Sequence, residues 1–237
     1  MEYAIRGVAK GVDHLFAEEK RMLWHKHITN CEVTLPATEL VKRTRIVVID
    51  DERTTFPFDV LQEQGYSIDY WPDVKDLDRL ERGFYDIIIL DIGGIGRELD
   101  ETNEGIAVLK HLKKLNPAQV VVAFSGQSYE SAKIPFFQLA DQYVPKPTSA
   151  ITWKEIIDDL LKTKVTVGHY WETMRQALRD AGASEKAIKG VEASLVKAAS
   201  GRHVDLCKTI QKLAGPLENA VTLAAIGAKI VALCNTQ

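Results

Sequence analysis

Four runs in this chain are apolar along nearly their whole length and then end in a chemically pointed residue. Arg45-Ile46-Val47-Val48-Ile49 leads into Asp50-Asp51-Glu52, and Phe84-Tyr85-Asp86-Ile87-Ile88-Ile89-Leu90 leads into Asp91. Val120-Val121-Val122-Ala123-Phe124 leads into Ser125-Gly126, and Asp141-Gln142-Tyr143-Val144-Pro145 leads into Lys146-Pro147. An alternating pattern would mean a strand with one wet face. A continuous apolar run means a strand covered on both faces, the condition of a parallel sheet layered between helices. In such sheets a ligand binds beyond the carboxyl ends of the strands, so the acidic pair, Asp91, Ser125 and Lys146 are expected to converge at one rim.

Clustered carboxylates repel one another and ionise together only where a cation or a set of donors compensates them, so Asp50, Asp51 and Asp91 read as a hard-oxygen site for Mg²⁺. A strand-end carboxylate is also a common helix cap, and Lys-Pro a common turn. Five such residues in one order make a more specific pattern.

Over residues 44–164 that order resembles the receiver domain of two-component response regulators, a CheY-like, flavodoxin-like fold of five parallel strands in the order 2-1-3-4-5. The resemblance implies that Asp91 is the phosphoacceptor, that Asp50 and Asp51 hold Mg²⁺ directly or through water, and that Lys146 pairs with the acyl phosphate. It places Ser125 as the switch hydroxyl, Tyr143 as the rotating aromatic, and the backbone carbonyl of Gly93 as a further metal ligand. It also implies a histidine kinase or phosphotransfer protein as partner, and a signalling domain rather than an enzyme. The chemistry suits these residues: a carboxylate attacking a phosphoryl group gains from positioning and from cations that neutralise the equatorial oxygens.

One stretch departs from the family pattern. Between Asp91 and the helix expected over 104–115 the chain runs Ile92-Gly93-Gly94-Ile95-Gly96-Arg97-Glu98-Leu99-Asp100-Glu101-Thr102-Asn103, longer than usual and without the family's proline. Its glycines do not have the spacing of a dinucleotide fingerprint and read as turn residues.

The pattern predicts strands over 45–49, 66–70, 86–90, 119–124 and 142–145. Helices are expected near 57–64, 74–82, 104–115, 128–140 with Pro135 as a strain, and 152–163. An amphipathic helix is expected before the receiver, from Ile5, Val8, Val12, Leu15, Phe16 and Leu23, and residues 31–44 read as a linker or an added edge strand. Residues 1–43, 44–164 and 165–237 thus form three parts.

The last part carries helical signals only. Tyr170, Met174, Leu178 and Ala181 share a face of a helix that continues from 152–163 or follows it. Ser184 is a cap for a helix bearing Ile188, Val191, Leu195 and Ala199. Leu206, Ile210 and Leu213 mark a third, and Gly215-Pro216 opens a fourth. Residues 217–233 are apolar nearly all round, which calls for burial in a bundle or in a homodimer interface. They fall short of a membrane span and contain Lys229. Nine Lys/Arg against six Asp/Glu over 165–237 are dispersed rather than gathered on one helix. Protein contact is therefore the expected output, ahead of DNA binding through a helix-turn-helix between 184 and 214 with Gly201 in the turn.

The remaining features exclude little. A formal net charge of -3 does not suit a polyanion-binding protein. Cys31, Cys207 and Cys234 have neither paired nor metal-type spacing, which suits a reducing cytoplasm, and no apolar signal-peptide core follows Met1. His25 and His27 point to different helix faces and do not form a metal site with Cys31. His169, beside Tyr170 and Trp171, reads as a packing or capping residue rather than a phosphotransfer histidine. The leading reading is a phosphorylated signalling protein whose helical tail is the effector. The alternatives are a receiver-like scaffold that no longer cycles and a DNA-binding regulator.

Overall fold

The computed structural model describes residues 27–31, 36–126, 138–217 and 219–235. The expected helix before the receiver, with His25, lies outside these residues, as does most of the helix expected over 128–140.

In chain order the elements are α1 (Ala37–Arg43), β1 (Arg45–Ile49), α2 (Phe58–Glu63), β2 (Ser67–Trp71), α3 (Leu77–Glu81), β3 (Ile87–Asp91), α4 (Gly105–Leu115), β4 (Val120–Ser125), β5 (Gln142–Pro145) and α5 (Ala150–Thr163). Four helices follow: α6 (Val167–Asp180), α7 (Glu185–Ala199), α8 (Leu206–Ala214) and α9 (Ala220–Cys234). The strands form one sheet in the order β2-β1-β3-β4-β5, with every pairing parallel. This is the flavodoxin-like doubly wound fold.

Every residue of β3 and β4 is buried. Alternate residues serve opposite faces. Ile46, Val48, Ile87, Ile89, Val120, Val122 and Phe124 join one core with Leu61 of α2 and Trp153 and Ile157 of α5. Val47, Ile49, Ile88, Leu90, Val121 and Ala123 join a second core with Leu80 of α3 and Ile106, Leu109 and Leu112 of α4. Each fully buried Val, Leu, Ile or Phe among them contributes about 1.5–3 kcal/mol of hydrophobic stabilisation.

Residues 37–43 correct the linker or edge-strand expectation. They form a short helix whose Glu39 lies in the first turn and Lys42 and Arg43 in the last, the arrangement that complements the helix dipole. The single buried residue, Val41, explains why no apolar periodicity announced it. Residues 164–166 end α5 before α6 begins. Thr166 is extended and its side chain accepts a hydrogen bond from His169 N, so a new helix starts there. Ser184 caps α7 as expected, accepting from Ala187 N, and Asp205 does the same for α8.

The four last helices are not held apart from the sheet. Tyr170, Met174, Leu195, Leu223, Ile226 and Ile230 belong to the same core as Trp153 and Ile157. Gly227 lets α9 approach closely: a Cβ there would lie 3.1 Å from both Leu195 of α7 and Leu206 of α8. Helix α9 buries Ala220, Leu223, Ile226, Gly227 and Ile230. The cover that its apolar surface required is therefore supplied within the chain. Among the described residues no helix is long and apolar enough to cross a membrane.

Candidate functional site

Asp50 follows β1 directly, and its backbone N–H still donates to Trp71 O, so the strand geometry carries the side chain to the rim. It is wholly buried. Its Oδ1 accepts from Glu52 N at 2.9 Å, and its Oδ2 accepts from the Thr55 hydroxyl at 2.8 Å. Asp51 faces outward and is exposed. Asp91 ends β3 and is 7% exposed, and its Oδ1 accepts from Gly93 N at 3.0 Å. One carboxylate oxygen from each of Asp50, Asp51 and Asp91 lies within 4.8 Å of the others.

Lys146 reaches this cluster from the end of β5. Its Nζ lies 2.6 Å from Asp50 Oδ2 and 2.7 Å from Asp91 Oδ2, and it also sits 4.8 Å from the Phe124 ring centroid. Lys146 N donates to Ser125 O at 2.9 Å, which extends the β4–β5 pairing by one bond and fixes where the side chain begins. Ser125 is buried and lies one residue beyond Phe124, the register partner of Asp91. Tyr143 pairs in register with Ala123 and packs half-buried against the core that contains Leu90.

The electrostatics follow from this crowding. Burial raises the pKa of Asp91, and neighbouring Asp50 adds to the rise, while Lys146 and the Gly93 N–H oppose it. Burial also disfavours the charge on Lys146. Hydrogen bonds and attraction from Asp50 and Asp91 outweigh that cost and hold its pKa above the ordinary lysine value. Among the described residues, three carboxylates against one ammonium leave the rim short of positive charge. The donors are hard oxygens with one exposed carboxylate at the opening, which fits a partly hydrated Mg²⁺.

Several residues that build the rim showed nothing of that role in the sequence. Thr55 holds Asp50 from within a short 3-10 turn, Arg53–Thr55. Gly94 has φ +84, and a Cβ there would come 2.7 Å from Asp51 Oδ2. Gly105 begins α4 against the end of β3, where a Cβ would lie 2.3 Å from Asp91 O. Only glycine fits such an approach.

The long loop after Asp91 is fastened at several points. Glu104 accepts from Gly94 N at 2.7 Å and from Arg97 Nε at 2.9 Å, and Gly96 N donates to Asp73 Oδ1 at 2.7 Å. Ile95 is wholly buried in the core beneath.

His169 is half-buried, and burial, with Lys164 next, lowers its pKa, so it is held toward the neutral form. His27 bonds Glu192 of α7 at 3.2 Å rather than joining Cys31 in a metal site.

No family model matches the chain, and no curated protein matches it. Many of the solved structures similar to it are receiver domains of response regulators. A CheY-like receiver domain protein from Methanospirillum hungatei is 22% identical and covers 51% of this chain and 95% of its own, with a TM-score of 0.43. A two-component response regulator from Clostridium difficile is 19% identical over 51% of this chain and 98% of its own, with a TM-score of 0.41. A Thermotoga maritima response regulator solved with Mg²⁺ and beryllofluoride is 27% identical over 49% of this chain and 98% of its own, with a TM-score of 0.38.

Proposed function

We propose that the chain is a response regulator of a phosphorelay system, which accepts a phosphoryl group on Asp91 and signals through protein contacts of α6–α9. The observation that carries this reading is the convergence of Asp50, Asp51 and Asp91 within 4.8 Å, with Lys146 bonded to two of them. Mg²⁺, held by Asp50, Asp51, Asp91 and the Gly93 carbonyl, would neutralise the oxygens of the incoming group.

The rest of the chemistry belongs to the chain. An Asp91 carboxylate oxygen attacks the phosphorus of a phosphohistidine on a histidine kinase or phosphotransfer protein. The P–N bond breaks as the P–O bond forms, and the histidine keeps the electron pair and takes a proton. Lys146, already at Asp91, follows the charge onto the phosphoryl oxygens. Ser125 at the end of β4 donates its hydroxyl to one of them, and the loop shift makes room for Tyr143 to turn inward. Because the acceptor is the protein's own side chain, this is one transfer and not turnover. Strand β3 supports the tail as output: Asp91 ends it, and Asp86, just before it, is bonded to Lys229 of α9.

Intact mass after treatment with acetyl phosphate and Mg²⁺ tests the reading. The wild type is expected to gain one phosphoryl group and Asp91→Asn none. Label retained in Asp91→Asn would move the acceptor elsewhere. No label on the wild type would favour the non-cycling scaffold.

A further inference from the structure

Glu104 holds a backbone conformation that its own side chain makes costly. Among the described residues it is the one non-glycine at positive φ, with φ 47° and ψ -130°, a combination open to glycine and strained for an L side chain. The fold fixes it from both ends. Its N–H donates to Asp100 O and its carbonyl accepts from Ala107 N, each at 2.9 Å, and the next residue is Gly105, pressed against Asp91 O. Glycine at 104 would remove the strain. The position instead carries a carboxylate, 26% exposed, that accepts from Gly94 N at 2.7 Å and from Arg97 Nε at 2.9 Å.

The first of these partners adjoins the acidic rim. The Gly94 N–H and the Gly93 carbonyl belong to one planar trans peptide unit, so the two bonds point in opposite directions. A carboxylate that holds the N–H on one side therefore sets where the carbonyl oxygen points on the other. Gly93 N donates to Asp91 Oδ1 at 3.0 Å, and a Cβ on Gly94 would meet Asp51 Oδ2 at 2.7 Å, so this short turn touches two of the rim carboxylates. An anionic acceptor on the N–H also polarises the amide and makes its oxygen a better ligand for a cation. We propose that Glu104 is a positioning residue for Mg²⁺: through the Gly94 N–H it aims the Gly93 carbonyl at an ion held by Asp50, Asp51 and Asp91, while Arg97 restrains its carboxylate. The inference rests on the phosphoacceptor reading above, which gives the ion its place.

Calorimetric titration of the full chain with Mg²⁺, paired with urea unfolding in the absence of metal, tests it. Glu104→Gly removes carboxylate and strain together, whereas Glu104→Ala removes the carboxylate and keeps the strain. Both are expected to bind Mg²⁺ roughly ten- to a hundredfold more weakly than the wild type, the usual loss when a group that orients a metal ligand is removed. Without metal, Glu104→Gly should unfold at a higher urea concentration than Glu104→Ala. Glu104→Gln keeps an oxygen for the Gly94 N–H and gives up the charge, so it should recover most of the affinity. Wild-type affinity in Glu104→Gly would overturn the proposal. So would a Glu104→Gln protein as weak as Glu104→Gly, because lost charge alone would then account for the effect. If Glu104→Ala fails to fold, the glycine and glutamine variants still decide the matter. A wild type that takes up no Mg²⁺ would bring down the phosphoacceptor reading and this inference together, whereas equal binding by wild type and Glu104→Gly would remove only the role of Glu104.

Discussion

The sheet holds a lysine–aspartate pairing at each end, and the two differ in what surrounds them. At the carboxyl rim Lys146 lies between Asp50 and Asp91, with Asp51 close by. At the opposite edge Lys229 of α9 donates to Asp86 and to the Tyr85 carbonyl, each at 2.9 Å. The lysine side chains are 13% and 16% exposed, but protein packs around Lys229 more deeply than around Lys146. Depth and the number of carboxylates together separate them. Burial opposes the charge on both; two aspartates hold the Lys146 pKa up, while deeper burial beside a single aspartate leaves the Lys229 pKa lowered. The base is a balanced pair whose remaining Asp86 oxygen is taken by Arg45 N. The rim keeps surplus negative charge, which is what a cation-dependent site requires.

The largest expected effect is at the base. Replacing Lys229 by Met leaves Asp86 largely buried without its cation, and breaking such a pair costs about 3 kcal/mol. Urea unfolding should show that loss, with much of it recovered in the Asp86→Asn, Lys229→Met double variant. Mg²⁺ should stabilise the Lys229→Met protein no more than it does the wild type. A loss under roughly 0.5 kcal/mol, the range of ordinary surface substitutions, would mean that α9 is held by its apolar face alone.

The rim should behave in the opposite way. Lys146→Met removes the one ammonium facing Asp50 and Asp91, and the expected loss without metal is about 1–3 kcal/mol. Mg²⁺ at a hundred times its Kd should return about 2.7 kcal/mol through binding to the folded state alone. Urea titrations of both lysine variants at one fixed, sub-saturating Mg²⁺ concentration check the contrast, because Lys146→Met frees its carboxylates for the ion while Lys229→Met keeps the wild-type rim. Equal responses at that concentration would erase the distinction between the rim and the base.

The same contrast explains what the amino-acid order could reveal. The rim residues announce themselves because each ends a continuous apolar run, so Asp50, Asp51, Asp91, Ser125 and Lys146 were readable as one edge. The sheet order came with the resemblance that those residues carry. Lys229 was visible only as a charge interrupting an apolar helix, because its partner Asp86 lies far away in the chain and sits before a strand rather than after one. Gly94 read as a turn residue and Gly105 as nothing in particular, since the close approaches that demand glycine exist only after folding. Helix α1 buries a single apolar residue, too few to leave a period.

The smallest expected effect is on pH dependence, and its sign separates the two lysines. For Lys146 the folded pKa is raised, so its contribution to stability is full below the ordinary lysine value of 10.5 and is lost as pH climbs through the folded value. For Lys229 the folded pKa is lowered, so the unfolded chain holds a proton that the folded one has released. Stability should therefore rise with pH between that lowered value and 10.5. Tyr66 and Tyr85, both pushed up to about 12 by burial, then by hydrogen bonds to Asp158 and Asp69, stay clear of most of this window. Urea midpoints between about pH 8 and 11 should change by under about 1.4 kcal/mol per lysine, the worth of one pK unit. Relative to wild type, Lys229→Met should lose the rising component and Lys146→Met the falling one. If both variants lost the same component, the opposite directions of the two lysine shifts would be wrong.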